Sequence, residues 1–181
     1  MPALDALTQS QYDAFRRGVG VLIAADDRLG LFEWSVQRIL TKHLDAQHGQ
    51  IRSTRVRHRT LRRVGRECAM VLSMLAWVGH PSETAAAAAF KKGWDTLEIS
   101  SLSLLPLELC DFSRLDAALT ELDSVAPTAK RTLLQASATC IEWDATVTVD
   151  ESELLRAVAA ALSCPMPPLV QVQTPHGAAQ I

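Results

Sequence analysis

The sequence has few aromatic residues and little net charge. Aromatic side chains make up 5% of its 181 residues, with a single tyrosine, whereas hydrophobic residues make up 48%. Strands are enriched in aromatic and β-branched residues, and helices in alanine and leucine, so this composition predicts an all-α fold. A formal net charge of −2 argues against a chain that binds nucleic acid through its overall charge.

Signals for export, membrane insertion and disulfide formation are also missing. The first 20 residues do not have the basic segment and following apolar segment of a signal peptide. The longest apolar run, residues 68–78, is too short to cross a bilayer. The four cysteines form no Cys-x-x-Cys pair, and Cys68 and Cys140 lie in apolar stretches. We therefore expect buried, reduced thiols in the cytoplasm, with a disulfide between distant cysteines left open.

No catalytic or zinc-binding motif is evident. The sequence contains neither HExxH nor GxSxG, and His43 and His48 would lie about 140° apart around a helix. An EF-hand starting at Asp144 fails, because its sixth residue is Val149 and its twelfth is Leu155. The sequence therefore predicts no enzymatic activity within this chain and no structural zinc site.

Apolar spacing and capping residues predict about seven helices in a single domain over residues 8–169, followed by a flexible tail, residues 170–181. We expect the second half of the third helix to be the most buried segment, and the five alanines of residues 85–89 to permit close helix packing. Short helical turns are predicted within residues 98–110. The predicted helices cover residues 8–25, 31–45, 56–78, 82–93, 113–124, 127–143 and 150–163.

The stretch of residues 137–169 predicts a helix, an acidic turn and a second helix. Thr148 and Glu151 have the spacing of a capping box, and Val147 is expected to enter the core. The pattern recurs near the start of the chain, which predicts two related helical hairpins. The matching residues, each pair separated by 118 positions, are Asp26, Leu29, Glu33 and Arg38 with Asp144, Val147, Glu151 and Arg156.

These acidic turns, each followed by an apolar helix, resemble the TerB-like fold of tellurite-resistance-type proteins. Residues 72–76, 89–93, 115–119 and 153–168 are further similar to the C-terminal cytosolic region of bacterial integral-membrane zinc metalloproteases related to the CAAX prenyl endopeptidases. The resemblance spans Tyr12 to Leu169. It implies a fragment whose membrane helices and zinc-binding HExxH lie upstream. The implied location is cytoplasmic, tethered to the inner membrane, with the upstream protease domain or another protein as partner.

The TerB-like family is linked to metal binding, so the resemblance also makes the acidic turns candidate sites for a divalent metal ion. The alternative is that these carboxylates only cap helices, and the sequence leaves both interpretations open. No other cofactor is expected in this chain. The candidate ligands are Asp26, Glu33, Asp144, Asp150 and Glu151.

Residues 52–66 contain seven arginines and no acidic residue. Two interpretations are open: a solvated face paired with acids elsewhere, or a surface that binds anions. For a tethered domain, anionic lipid headgroups would be a natural partner. Nucleic acid is not expected, because no aromatic residues are interleaved with the arginines. The candidate surface residues are Arg55, Arg57, Arg59, Arg62, Arg63 and Arg66.

Together these features predict a non-catalytic regulatory or protein-interaction domain, and the resemblance implies that it forms the C-terminal cytosolic part of a membrane-bound zinc metalloprotease. A stand-alone metal-ion-binding protein of the tellurite- or stress-resistance type is the alternative.

Overall fold

The computed structural model describes residues 30–47 and 56–169, and the chain divides into two compact units after Arg55. The described part of the first unit is helix α1, Leu31–Gln47. Trp34 and Ser35 of this helix are buried. The helix predicted over residues 8–25, the turn at Asp26 and the tail at residues 170–181 lie outside the described residues. The single domain over residues 8–169 stays a prediction.

The second unit is helical, which together with α1 confirms the predicted all-α class. No strand occurs in the two described ranges, although one isolated parallel β-bridge pairs His58 with Val125. The α-helices are α2 (Gly65–Gly79), α3 (Glu83–Trp94), α4 (Phe112–Leu122), α5 (Pro127–Ile141) and α6 (Val149–Ala161), with 3₁₀ turns at Leu61–Arg63 and Leu107–Leu109.

Helix α2 is the centre of this unit. It packs against α3, α4, α5 and α6, and nine consecutive residues, 68–76, are buried. A helix that is buried on all sides needs an apolar sequence around its whole circumference, as this stretch has. The predicted central position of this segment is therefore confirmed.

The third helix was predicted to start at residue 56, and this prediction was wrong. Instead of a helix from residue 56, the chain is non-helical until the 3₁₀ turn at Leu61–Arg63, and α2 begins only at Gly65. A continuous helix would stack Arg59 on Arg63 and Arg62 on Arg66, and like charges four residues apart are destabilising. The backbone of Arg57 and His58 instead forms hydrogen bonds with the loop before α5.

Helices α3 and α5 approach each other closely. Ala86 and Ala89 are fully buried, and a β-carbon added at Gly93 would lie only 2.7 Å from the carbonyl oxygen of Ala136. Any larger side chain at Gly93 would push the two helices apart. The predicted close packing along the alanine-rich helix is confirmed.

The segment before α4 lies against α2 and is mostly non-helical, with one 3₁₀ turn at Leu107–Leu109, whereas short helical turns were predicted within residues 98–110. Leu105 N–H donates to Ser73 Oγ at 3.0 Å, and the Trp77 indole donates to the Leu105 carbonyl at 2.8 Å. Helix α4 is capped by Asp111, whose carboxylate accepts from Arg114 N–H at 2.8 Å, two residues before the predicted start. Side-chain hydrogen bonds thus hold this segment at Leu105 and at Asp111.

Candidate functional site

Five arginines of the basic run are exposed in the second unit: Arg57, Arg59, Arg62, Arg63 and Arg66. We call this set the arginine surface. Leu61 and Val64 are buried on either side of Arg62 and Arg63, so the short 3₁₀ turn has one apolar and one cationic side. Arg52 and the predicted surface residue Arg55 lie outside the described residues.

Backbone hydrogen bonds attach the start of this surface to the turn between α4 and α5. Arg57 N–H donates to the Ser124 carbonyl at 2.8 Å, and Ala126 N–H donates to the His58 carbonyl at 2.8 Å. The His58 Nε2 atom lies 3.1 Å from Glu121 Oε1 on α4. The basic segment is therefore held against the helices.

Ion pairing with acids accounts for little of the arginine surface. Arg57 Nη1 lies 4.0 Å from Glu121 Oε2, and 68% of the Arg57 side chain and 41% of the Glu121 side chain are exposed, so this pair is weak. Within the described ranges, Arg59, Arg62, Arg63 and Arg66 form no ion pair. Among these residues, the structure thus favours an open cationic surface over a face paired with acids.

The acidic turn before α6 contains the predicted capping box. Thr148 N–H and Oγ1–H both donate to Glu151 Oε2 at 2.8 Å, and Glu151 N–H donates to Thr148 Oγ1 at 3.2 Å. Val147 is buried, as predicted, and so is the stripe of Leu154, Leu155, Val158, Ala161 and Leu162. The turn therefore fixes the start of α6 on the core.

Glu151 is a buried carboxyl group. The residue is 1% exposed, and its Oε1 atom has no hydrogen-bond partner among the residues that the structure describes. Burial raises the pKa of Glu151, although the hydrogen bonds from Thr148 and the neighbouring His80 act in the opposite direction. Burial favours the neutral carboxylic acid, which can donate a hydrogen bond as well as accept one.

The end of α2 meets this turn. A β-carbon on Gly79 would lie 1.8 Å from Glu151 Oε1, so the absence of a side chain at Gly79 makes room for the carboxyl group. The next residue, His80, is buried, and its Nε2 accepts a hydrogen bond from the Trp143 indole at 2.7 Å. Neither contact was predictable from the sequence, because each joins residues more than 60 positions apart.

The described candidates for metal ligands are divided between the two units: Glu33 belongs to the first, and Asp144, Asp150 and Glu151 belong to the second. Glu33 accepts from Gly30 N–H at 2.7 Å, and Asp144 accepts from Thr146 N–H at 2.9 Å. Asp150 is exposed at the start of α6, and Asp26 lies outside the described residues. Within residues 30–47 and 56–169, no group of three or more His, Cys, Asp or Glu side chains is placed to hold a metal ion. Each placed carboxylate except Asp150 has a local hydrogen-bonding role instead.

Three cysteine thiols are held in the protonated form. Burial raises the pKa of Cys68 to about 12 and that of Cys110 to about 11, and it also raises the pKa of Cys140. The thiolate is the reactive form of cysteine, so these three side chains are poor nucleophiles at neutral pH.

Comparison with protein-family models, curated proteins and solved structures found no match, so none of these comparisons identifies a TerB-like domain or a protease relation. None of the helices in the described ranges combines the length and the apolar character needed to span a membrane.

Proposed function

We propose that the chain is a non-catalytic interaction domain whose arginine surface binds an anionic partner. The observation that carries the proposal is the exposure of Arg59, Arg62, Arg63 and Arg66 without an acidic partner in the described part of the chain. Their local positive charge contrasts with the formal net charge of −2 for the whole chain. Such a local excess of charge attracts anions even when the whole protein does not.

The attachment of the surface supports binding. Leu61 and Val64 are anchored in the core, and the backbone at Arg57 and His58 is hydrogen-bonded to the turn before α5. Less backbone entropy is lost on binding when the segment is already ordered. Guanidinium groups also match the geometry of phosphate, sulfate and carboxylate groups, to which they donate paired hydrogen bonds.

The non-catalytic part of the proposal is supported by the chemistry of the buried groups. The thiols of Cys68, Cys110 and Cys140 are kept protonated by burial. The carboxyl group of Glu151 is enclosed by the capping box and the end of α2. These groups therefore serve packing and helix capping.

Retention on a heparin column in a salt gradient tests the proposal. We expect wild-type protein to bind at low salt, because sulfate groups are anionic partners for arginine, and a variant with Arg59, Arg62, Arg63 and Arg66 changed to Gln to elute at much lower salt. The matched control removes four exposed charges elsewhere: Lys91, Lys92, Arg131 and Arg156 changed to Gln. No retention of wild type, or equal shifts for both variants, would refute the proposal.

The connection to a membrane zinc metalloprotease is a further proposal, supported by the sequence resemblance. The reading frame upstream of Met1 tests it: membrane-spanning segments followed by HExxH would support it, and a stop codon immediately upstream would refute it. The alternative, a stand-alone metal-binding protein, is tested by elemental analysis of the purified chain. Bound metal at near-unit stoichiometry would support that alternative.

A further inference from the structure

Apolar side chains are exposed beside the arginine surface. Val56, which precedes Arg57, is 49% exposed, and Leu102 is 39% exposed. A β-carbon added at Gly65, between Arg63 and Arg66, would lie 3.9 Å from Leu102 Cδ1, so Leu102 lies against the backbone that presents these arginines. Exposed leucine and valine thus adjoin exposed arginine.

The arginine surface remains cationic when nearby acids are included, of which Glu121 pairs weakly with Arg57. Glu67 follows Arg66, and Glu98 precedes Ile99, whose Cδ1 would lie 3.7 Å from a β-carbon at Gly65. These two carboxylates offset part of the charge of Arg59, Arg62, Arg63 and Arg66. An excess of positive charge remains beside the two exposed apolar residues.

We infer that the anionic partner is a lipid bilayer, on which the arginines bind headgroups while Val56 and Leu102 enter the interface. The inference rests on the proposed function and names the partner of the same surface. Binding at a bilayer interface combines electrostatic attraction with burial of apolar area, and these residues supply both. A soluble polyanion would use the arginines and leave Leu102 and Val56 in water.

The experiment is co-sedimentation of the full chain with vesicles of phosphatidylcholine alone or mixed with phosphatidylglycerol, at low and high salt. The variants are Val56→Ser with Leu102→Ser, and the four-arginine variant already used on heparin. The matched control is Leu107→Ser with Leu109→Ser. It removes two exposed leucines from the 3₁₀ turn that follows Leu102 in the segment between α3 and α4. Thermal melts establish that each variant is folded.

We expect wild type to bind the anionic vesicles far better than the neutral ones. The Val56/Leu102 variant should bind anionic vesicles about tenfold more weakly, since two partly exposed apolar side chains no longer enter the interface. Its elution from heparin should not change. The Leu107/Leu109 control should bind vesicles as wild type does, and the four-arginine variant should bind neither vesicles nor heparin well.

Two outcomes would overturn the inference while leaving the proposed function intact. One is heparin binding by wild type without binding to anionic vesicles, which would indicate another class of anionic partner. The other is equal vesicle binding by the Val56/Leu102 variant and the Leu107/Leu109 control, whether both bind as wild type does or both bind more weakly. If wild type binds neither heparin nor vesicles, the inference and the proposed function are both overturned.

Discussion

Gly79 and Glu151 fit together without space for one further carbon atom, since a β-carbon at Gly79 would lie 1.8 Å from Glu151 Oε1. The contact joins the last residue of α2 to the first turn of α6. It places a buried carboxyl group at the end of the central helix.

Replacement of Gly79 by Ala tests the contact directly. Alanine alone would favour a helix relative to glycine, so a loss of stability here would show a steric conflict. We expect the free energy of unfolding to fall by about 2 kcal/mol, as for other overpacked cores. In a protein that already carries Glu151→Ala, Gly79→Ala should lower the free energy of unfolding only slightly, because the clashing carboxyl group is gone. Urea unfolding of the four proteins measures the coupling, and Gly65→Ala is the control because its nearest atoms lie at ordinary contact distance.

The pH dependence of stability should reflect Glu151. Its pKa is raised in the folded state, so between the ordinary glutamate pKa and the folded value the unfolded chain has lost a proton that the folded chain keeps. The contribution of Glu151 to stability therefore falls as pH rises through this window. Glu151→Gln should remove that slope and be more stable than wild type above it.

Urea unfolding at a series of pH values measures this difference between wild type and Glu151→Gln. Glu108→Gln, at an exposed position, is the control and should follow wild type. Parallel profiles of stability against pH for wild type and Glu151→Gln would contradict the prediction, because they would show that the carboxyl group ionises alike in the folded and unfolded chains.

The capping box predicts the effect of Thr148→Ala. The change removes the hydroxyl that accepts from Glu151 N–H and donates to Glu151 Oε2. We expect a loss of about 1 kcal/mol in the free energy of unfolding, the usual value for an N-cap. A melting temperature equal to that of wild type would contradict this role, and Thr132→Ala, on an exposed helix surface, serves as control.

A buried ion pair at the other end of the helices gives a fourth prediction. Lys130 Nζ lies 2.7 Å from Asp123 Oδ1 and 3.2 Å from the Leu162 carbonyl, which it caps at the end of α6. Lys130→Met should lower the free energy of unfolding by about 2 kcal/mol. This loss is smaller than for a fully buried ion pair, because the Asp123 carboxylate keeps some contact with water. Lys91→Met, which breaks the exposed pair with Asp95, should cost under about 0.5 kcal/mol. Equal losses in the two variants, measured by chemical denaturation, would contradict the structural role of Lys130.

Contacts between residues close in sequence were predictable, whereas contacts between distant residues were not. The capping box at Thr148 and Glu151 was predictable because both partners lie within one helical turn. The contacts of Gly79 with Glu151, of His80 with Trp143 and of His58 with Glu121 were not, because no local pattern relates residues so far apart. The helix predicted from residue 56 failed because apolar periodicity ignores repulsion between arginines and pairing with a distant loop.

The repeat deduced from the sequence has a local counterpart. Helices α1 and α6 begin at Leu31 and Val149, which are separated by the same 118 positions as the repeated residues. Glu33 accepts from Gly30 N–H at 2.7 Å, as Glu151 accepts from Thr148 N–H at 2.8 Å. Gly30 has no hydroxyl, so only half of the capping box recurs. Superposition of the complete hairpins, which include Asp26, stays a prediction beyond the described residues.

The central position of α2 has a consequence for biosynthesis. Its apolar residues leave the ribosome before α3, α4, α5 and α6, the four helices that cover them. Until α6 has been made, part of this helix has no partner from its own unit, and exposed apolar surface promotes aggregation of nascent chains. Fragments that end before Phe112 should therefore be captured by chaperones or accumulate as insoluble protein, whereas chains that extend past Leu162 can enclose α2 completely.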